Sequence, residues 1–129
     1  MTLPIKMVYD ILMNDENFTA LVNPDHIFLL DVDEDYQKLE KLPLVRINEI
    51  SDYQDGFSSN MPFSMVISVQ VDVWGNSIKS LEPIQTALDK LMSQNGWAQY
   101  AGGIDKDPDF NQTPRLYRRY RTTQLIQFN

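Results

Sequence analysis

Ile5, Val8, Ile11 and Leu12 recur at helical spacing, and Pro4 suits a first helical turn, where its missing N–H leaves no bond unmade. Asn14-Asp15-Glu16-Asn17 interrupts that stripe, and Phe18, Leu21 and Val22 predict one more short helical turn. Asn23-Pro24-Asp25 is turn chemistry, since proline disfavours helix at the residue before it. The apolar run His26 to Leu30 predicts a short strand, and Asp33 to Leu39 a helical turn with acids near its positive end. A second strand, Leu42 to Ile50, opens at Pro43, where a strand tolerates proline.

Met65, Ile67, Val69, Val71 and Val73 alternate with Val66, Ser68, Gln70, Asp72 and Trp74. One apolar and one mostly polar face at period two predict a sheet covered on one side only. Gly75-Asn76 ends the strand. Ser77 or Ser80 then caps a helix in which Pro83 fits the first turn, and Ile78, Leu81, Ile84, Leu88, Leu91 and Met92 form its buried stripe. Asn95-Gly96 stops it, Trp97 to Ile104 predicts a strand weakened by Gly102-Gly103, and Asp105 to Pro114 a polar turn. Arg115 to Phe128 reads as a long final strand.

Residues 51–62 lack any period and carry Gly56 and Pro62, so they predict a long mobile loop, with Tyr53, Phe57 and Met61 as exposed candidates for contact. The order is α-β-β-long loop-β-α-β-β in one domain spanning 1–129. That order predicts an α+β fold, an antiparallel or mixed sheet with helices packed on one face.

Composition narrows the class. The chain has 129 residues, 43% of them hydrophobic, and no cysteine, which removes disulfides, thiol nucleophiles and Cys-built metal sites. A reducing cytoplasm suits such a chain. No apolar run is long enough to cross a membrane, and Met1 to Pro4 lacks the basic-then-apolar pattern of a signal peptide.

Charge is unevenly spread. Residues 1–114 carry 7 Lys/Arg against 18 Asp/Glu, a net of −11, whereas residues 115–129 carry Arg115, Arg118, Arg119 and Arg121 and no acid. The acidic majority repels polyanions, which argues against a general nucleic-acid binder. Plus meeting minus within one sequence is a route to head-to-tail assembly.

No catalytic or cofactor signature emerges. Asp31-Asp33-Asp35 and Asp105-Asp107-Asp109 begin like EF-hand loops, but Tyr36 and Phe110 stand where glycine is needed, and Leu42 and Leu116 where the bidentate glutamate belongs. His26 is the sole histidine, with no nucleophile elbow to serve, and Asp33/Asp35 is a carboxylate pair of a kind expected by chance among 18 acids. No glycine-rich phosphate loop is present, so neither enzyme activity, cofactor nor metal is expected. In the final strand Arg115, Arg119 and Arg121 share a face with Tyr117, and Arg118 lies opposite beside Leu116 and Tyr120. Such a cluster serves nucleic-acid binding, protection of a sheet edge, or a subunit contact with a neighbour's acids.

Three stretches carry a resemblance: Leu42-Pro43-Leu44-Val45-Arg46-Ile47; Val69-Gln70-Val71-Asp72-Val73-Trp74 with the helix after it; and Asp107-Pro108-Asp109-Phe110 with Leu116-Tyr117-Arg118-Arg119-Tyr120-Arg121. In this order, over almost the whole chain, the sequence resembles the tail-completion or tail-terminator proteins of long-tailed phages of Gram-positive bacteria. The resemblance implies a non-enzymatic virion protein forming a ring, usually a hexamer, on the head-proximal end of the tail tube. Such a ring stops tube growth and joins the tail to the head connector, while DNA passes through its lumen without sequence-specific binding. The family assembles in the host cytoplasm and needs no cofactor. A head-side connector ring and a non-virion regulatory binding module are the alternatives.

Overall fold

Five strands form one mixed sheet in the order β1-β2-β3-β5-β4. The computed structural model describes residues 2–58 and 61–125. The strands are β1 (Ile27–Leu29), β2 (Leu44–Ser58), β3 (Met61–Trp74), β4 (Ala98–Asp107) and β5 (Thr113–Leu125). β1 runs parallel to β2, and every other pairing is antiparallel. Helices α1 (Pro4–Met13), α2 (Glu16–Leu21) and α3 (Ile78–Gln94) cover one face. The α+β class read from the element order is therefore the one observed.

Period-two patterning places the core. Val45 and Ile47 of β2, Ile67 to Val73 at alternate positions of β3, and Leu116 and Tyr120 of β5 point to the helices. They meet Val8 and Leu12 of α1, Phe18 of α2, and Leu81, Ile84, Leu88 and Met92 of α3. Fully burying an aliphatic side chain of this kind contributes roughly 1.5–3 kcal/mol, so these stripes hold the two layers together. Asp15 caps α2 by accepting from Phe18 N, and Ser77 caps α3 in a reciprocal box with Ser80.

Several expectations need correction. Residues 51–58, read as loop, are the outer half of β2, paired with β3 from Ser51↔Ser68 to Ser58↔Met61. They lack amphipathic alternation because this arm of the β2–β3 hairpin has no core beneath it: residues 49–55 are exposed whichever face they occupy. A bulge between Glu49 and Ser51 shifts the register, so Tyr53 lies on the face away from the helices. The backbones of Phe57 and Met61 lie in these strands, and their side chains fall outside the described residues, as do residues 126–128 of the expected final strand. Ser77 rather than Ser80 is the cap, so Pro83 sits one turn deeper than a first-turn position, on the exposed side of α3. Ile78, at the first helical position, lies beyond the sheet's cover and is 54% exposed. The strand read over Trp97 to Ile104 runs on through Asp107, so Asp105 to Asp107, read as turn, belong to β4, with Gly102-Gly103 inside it. A Cβ at Gly102 would lie 2.6 Å from Arg118 Nη1, and one at Gly103 2.8 Å from the Tyr117 hydroxyl, so the glycines make room for those side chains to cross the strand.

Candidate functional site

The sheet face away from the helices carries the chain's most organised polar chemistry. Its rows follow from the register: Leu44–Trp74–Arg115–Asp105, then Arg46–Asp72–Tyr117–Gly103, then Asn48–Gln70–Arg119–Ala101, then Ser51–Ser68–Arg121–Ala98. The parity expected for β5 is observed, with Arg115, Tyr117, Arg119 and Arg121 together here.

Asp72 is the hub. It is fully buried although no helix covers it, because longer side chains from the neighbouring strands close over it. Arg46 donates through Nε and Nη2 to Oδ2 at 3.2 and 2.9 Å, and Gln70 Nε2 donates to Oδ1 at 2.9 Å. Arg119 Nε donates to Gln70 Oε1 at 2.9 Å, which extends the chain of contacts to the next row. Arg115 lies 4.0 Å from Asp72 and forks onto Asp105 at 3.0 and 2.7 Å; the Asp105 hydrogen bonds raise its already high pKa. A buried carboxylate needs such compensation, since an unpaired one costs several kcal/mol, of order 3–5. Arg46 also stacks 5.0 Å over Trp74, whose indole N–H donates to Asp107.

Arg119 and Arg121 differ from Arg46 and Arg115. Among the described residues neither meets a carboxylate: Arg119 binds the neutral Gln70, and Arg121 lies 5.3 Å over the Tyr100 ring. On β4 their rows carry the small residues Ala101 and Ala98, and the one large β4 side chain against them is Tyr100, under Arg121. Tyr53, 54% exposed, lines a shallow depression with Arg121 and Thr123.

Arg118 is separated from the other three. It points to the helices, its side chain is 13% exposed, and it forks onto Asp89 of α3 at 3.0 and 2.5 Å. Tyr120 OH donates to the same carboxylate at 2.5 Å. Burial, then the Asp89 contact, push the Tyr120 phenol far above its ordinary pKa. Burial is the largest single influence on the Arg118 guanidinium and pulls it down, but the hydrogen bonds and charge of Asp89 together with Tyr120 outweigh it and the net shift is upward. Arg118 thus ties α3 to β5, on the helix side of the sheet and away from Arg115, Arg119 and Arg121. Sequence reasoning missed Asp72 and Asp89; the only trace of Asp72 was the one charged residue on the polar face of an alternating strand.

A cleft of about 480 Å³ at the lower end of this face is lined by Leu44, Arg46, Trp74, Asp31, Glu34 and Asp109, among others. It brings together carboxylates and an arginine but no nucleophile with a base. Among the described residues no three metal-ligating side chains converge, so neither Asp-rich run forms a cluster. His26 packs edge-on against Tyr36 at 5.4 Å, a structural position beside β1.

No family model and no curated protein matches this sequence. Solved structures do match the fold. One is a chain from the virion of a native gene transfer agent (GTA) particle, with a TM-score of 0.69 and 12% identity over 97% of this chain and 100% of that one. The described architecture is therefore that of a protein found in an assembled virion.

Proposed function

We propose that this chain is a structural, non-enzymatic virion protein that caps the head-proximal end of a tail tube as a ring, usually six-fold, stopping tube growth and offering the head its docking surface. The observation that carries this reading is the fold shared end to end with a chain of the GTA virion. The resemblance to tail terminators narrows the virion role to the tube end. The charge distribution is compatible with it: arginines concentrate on the open sheet face, whereas the remainder is acidic and lets DNA pass without adhering. Its partners in this reading are further copies of itself, the tail tube protein and the head connector.

The test is electron microscopy of particles made after the reading frame is stopped early in the genome that encodes it. Full heads beside detached, overlong tails support the terminator. Empty heads with tails of normal length move the protein to the head side of the joint. Intact virions leave a regulatory binding role instead.

A further inference from the structure

The hairpin arm and the β4–β5 side of the sheet are opposite in charge, and β3 and β5 lie between β2 and β4 in the strand order. Residues 49–56 hold Glu49, Asp52 and Asp55 and no basic residue, and none of these acids is paired with a cation among the described residues. Residues 49–55 are exposed, including Ile50 and Tyr53. Among the described residues, β2 beyond Ile47, where β1 ends its pairing, is bonded only to β3, so its outer edge presents backbone groups without a strand partner there. At the far side β4 is the other edge strand; across it from Ala101 and Ala98 lie the half-buried Arg119 and the exposed Arg121, the latter stacked on Tyr100.

We propose that the acidic hairpin arm of one copy docks along β4 of the next, its carboxylates meeting Arg119 and Arg121. This inference rests on the ring reading and names the surfaces that build the ring. The contact is heterologous: the arm and the arginine face are different patches on each copy, and such contacts close into rings or run on as filaments. Among the described residues two strand edges are unpaired, one at each side of the sheet, and they allow main-chain hydrogen bonds to join the copies. The charges select the partner, because arm against arm and face against face both repel. The occupant is a second copy of this chain because both halves of the complementarity are present in it.

The test is sedimentation velocity of the purified full-length chain at low salt, with circular dichroism to confirm folding. The wild type is expected to self-associate as concentration rises, and D52K/D55K and R119E/R121E each to remain monomeric. Mixed one to one, the two variants are expected to assemble, because an alternating assembly then joins opposite charges at every contact. R121E alone, at an exposed position that leaves the Asp72 network intact, is expected to weaken association roughly fivefold. A wild type monomeric at every concentration overturns the proposal. So does assembly of either double variant at wild-type strength, or a mixture of folded variants that stays monomeric. Intact virions from the truncated gene together with charge-swapped assembly would remove the terminator reading and leave this interface standing. A monomeric chain beside defective tails would do the reverse.

Discussion

Arg46 and Asp72 meet on the helix-free face of the sheet, guanidinium Nη2 2.9 Å from carboxylate Oδ2, and the carboxylate is completely buried there. Burial without a covering layer is possible because Arg46 and Gln70 reach over the short aspartate and hydrogen-bond it, with Arg115 4.0 Å away and Trp74 stacked under Arg46. The face that looks solvated in the strand pattern is a second, polar core one side chain deep.

Asp72→Ala is expected to lower stability by about 3 kcal/mol, because it leaves Arg46 and Gln70 without their acceptor. Asp72→Asn keeps an acceptor for Arg46 and is expected to cost less. Urea unfolding midpoints of the two variants check the order. Equal midpoints would show that the hub is not the carboxylate charge.

Asp89 holds α3 to β5 through two donors, Arg118 and Tyr120. Asp89→Ala is expected to cost about 2–3 kcal/mol, since it strands the buried phenol. The raised folded pKa of Tyr120 gives the alkaline sign: the folded state holds this proton more tightly than the unfolded chain does. Its contribution is full below the ordinary phenol value of 10.0 and falls as pH rises above it. Thermal melts from pH 9 upward are expected to show that fall in the wild type and a shallower one in Tyr120→Phe.

The exposed Glu49 carboxyl is held above its ordinary value, first by slight desolvation and then by its hydrogen bond and like charge with Asp52. An acid with a raised folded pKa binds more protons in the folded state, so stability declines as pH rises from its ordinary 4.5 through the raised value. Asp52→Asn removes the like charge and is expected to flatten that decline. Melting temperatures between pH 4 and 7 measure it, and an unchanged slope would break the link between the two carboxyls.

Gly103→Ala would press a methyl group against the Tyr117 ring, 2.8–2.9 Å from the Cβ position. The expected loss is about 1–3 kcal/mol, as for other overpacked sites. Adding Tyr117→Ala is expected to remove most of that penalty, which a double-mutant cycle in urea reads directly. Additive losses would place the strain in the β4 backbone rather than at the ring.

The elements with a covered face were legible in the sequence. Alternation in Met65 to Val73, the helical stripe from Leu81 to Met92, and the parity that sets Arg118 apart from Arg115, Arg119 and Arg121 all follow from one rule: residues touching a core repeat with the period of the backbone. Residues 51–58 were not legible, because a strand whose two faces are both wet has no such constraint. Its strand geometry comes from hydrogen bonds to β3 that leave no mark on composition. Nor could the pattern set the strand order, in which β5 enters between β3 and β4, since that depends on which backbone edges meet across long stretches of chain. The sites share this origin. Arg46 is 26 positions from Asp72, and Arg118 is 29 from Asp89. The sequence supplied the charges and the face each one occupies, whereas their partners, their burial and the two arginines that meet no carboxylate among the described residues were decided only when the sheet brought distant strands side by side.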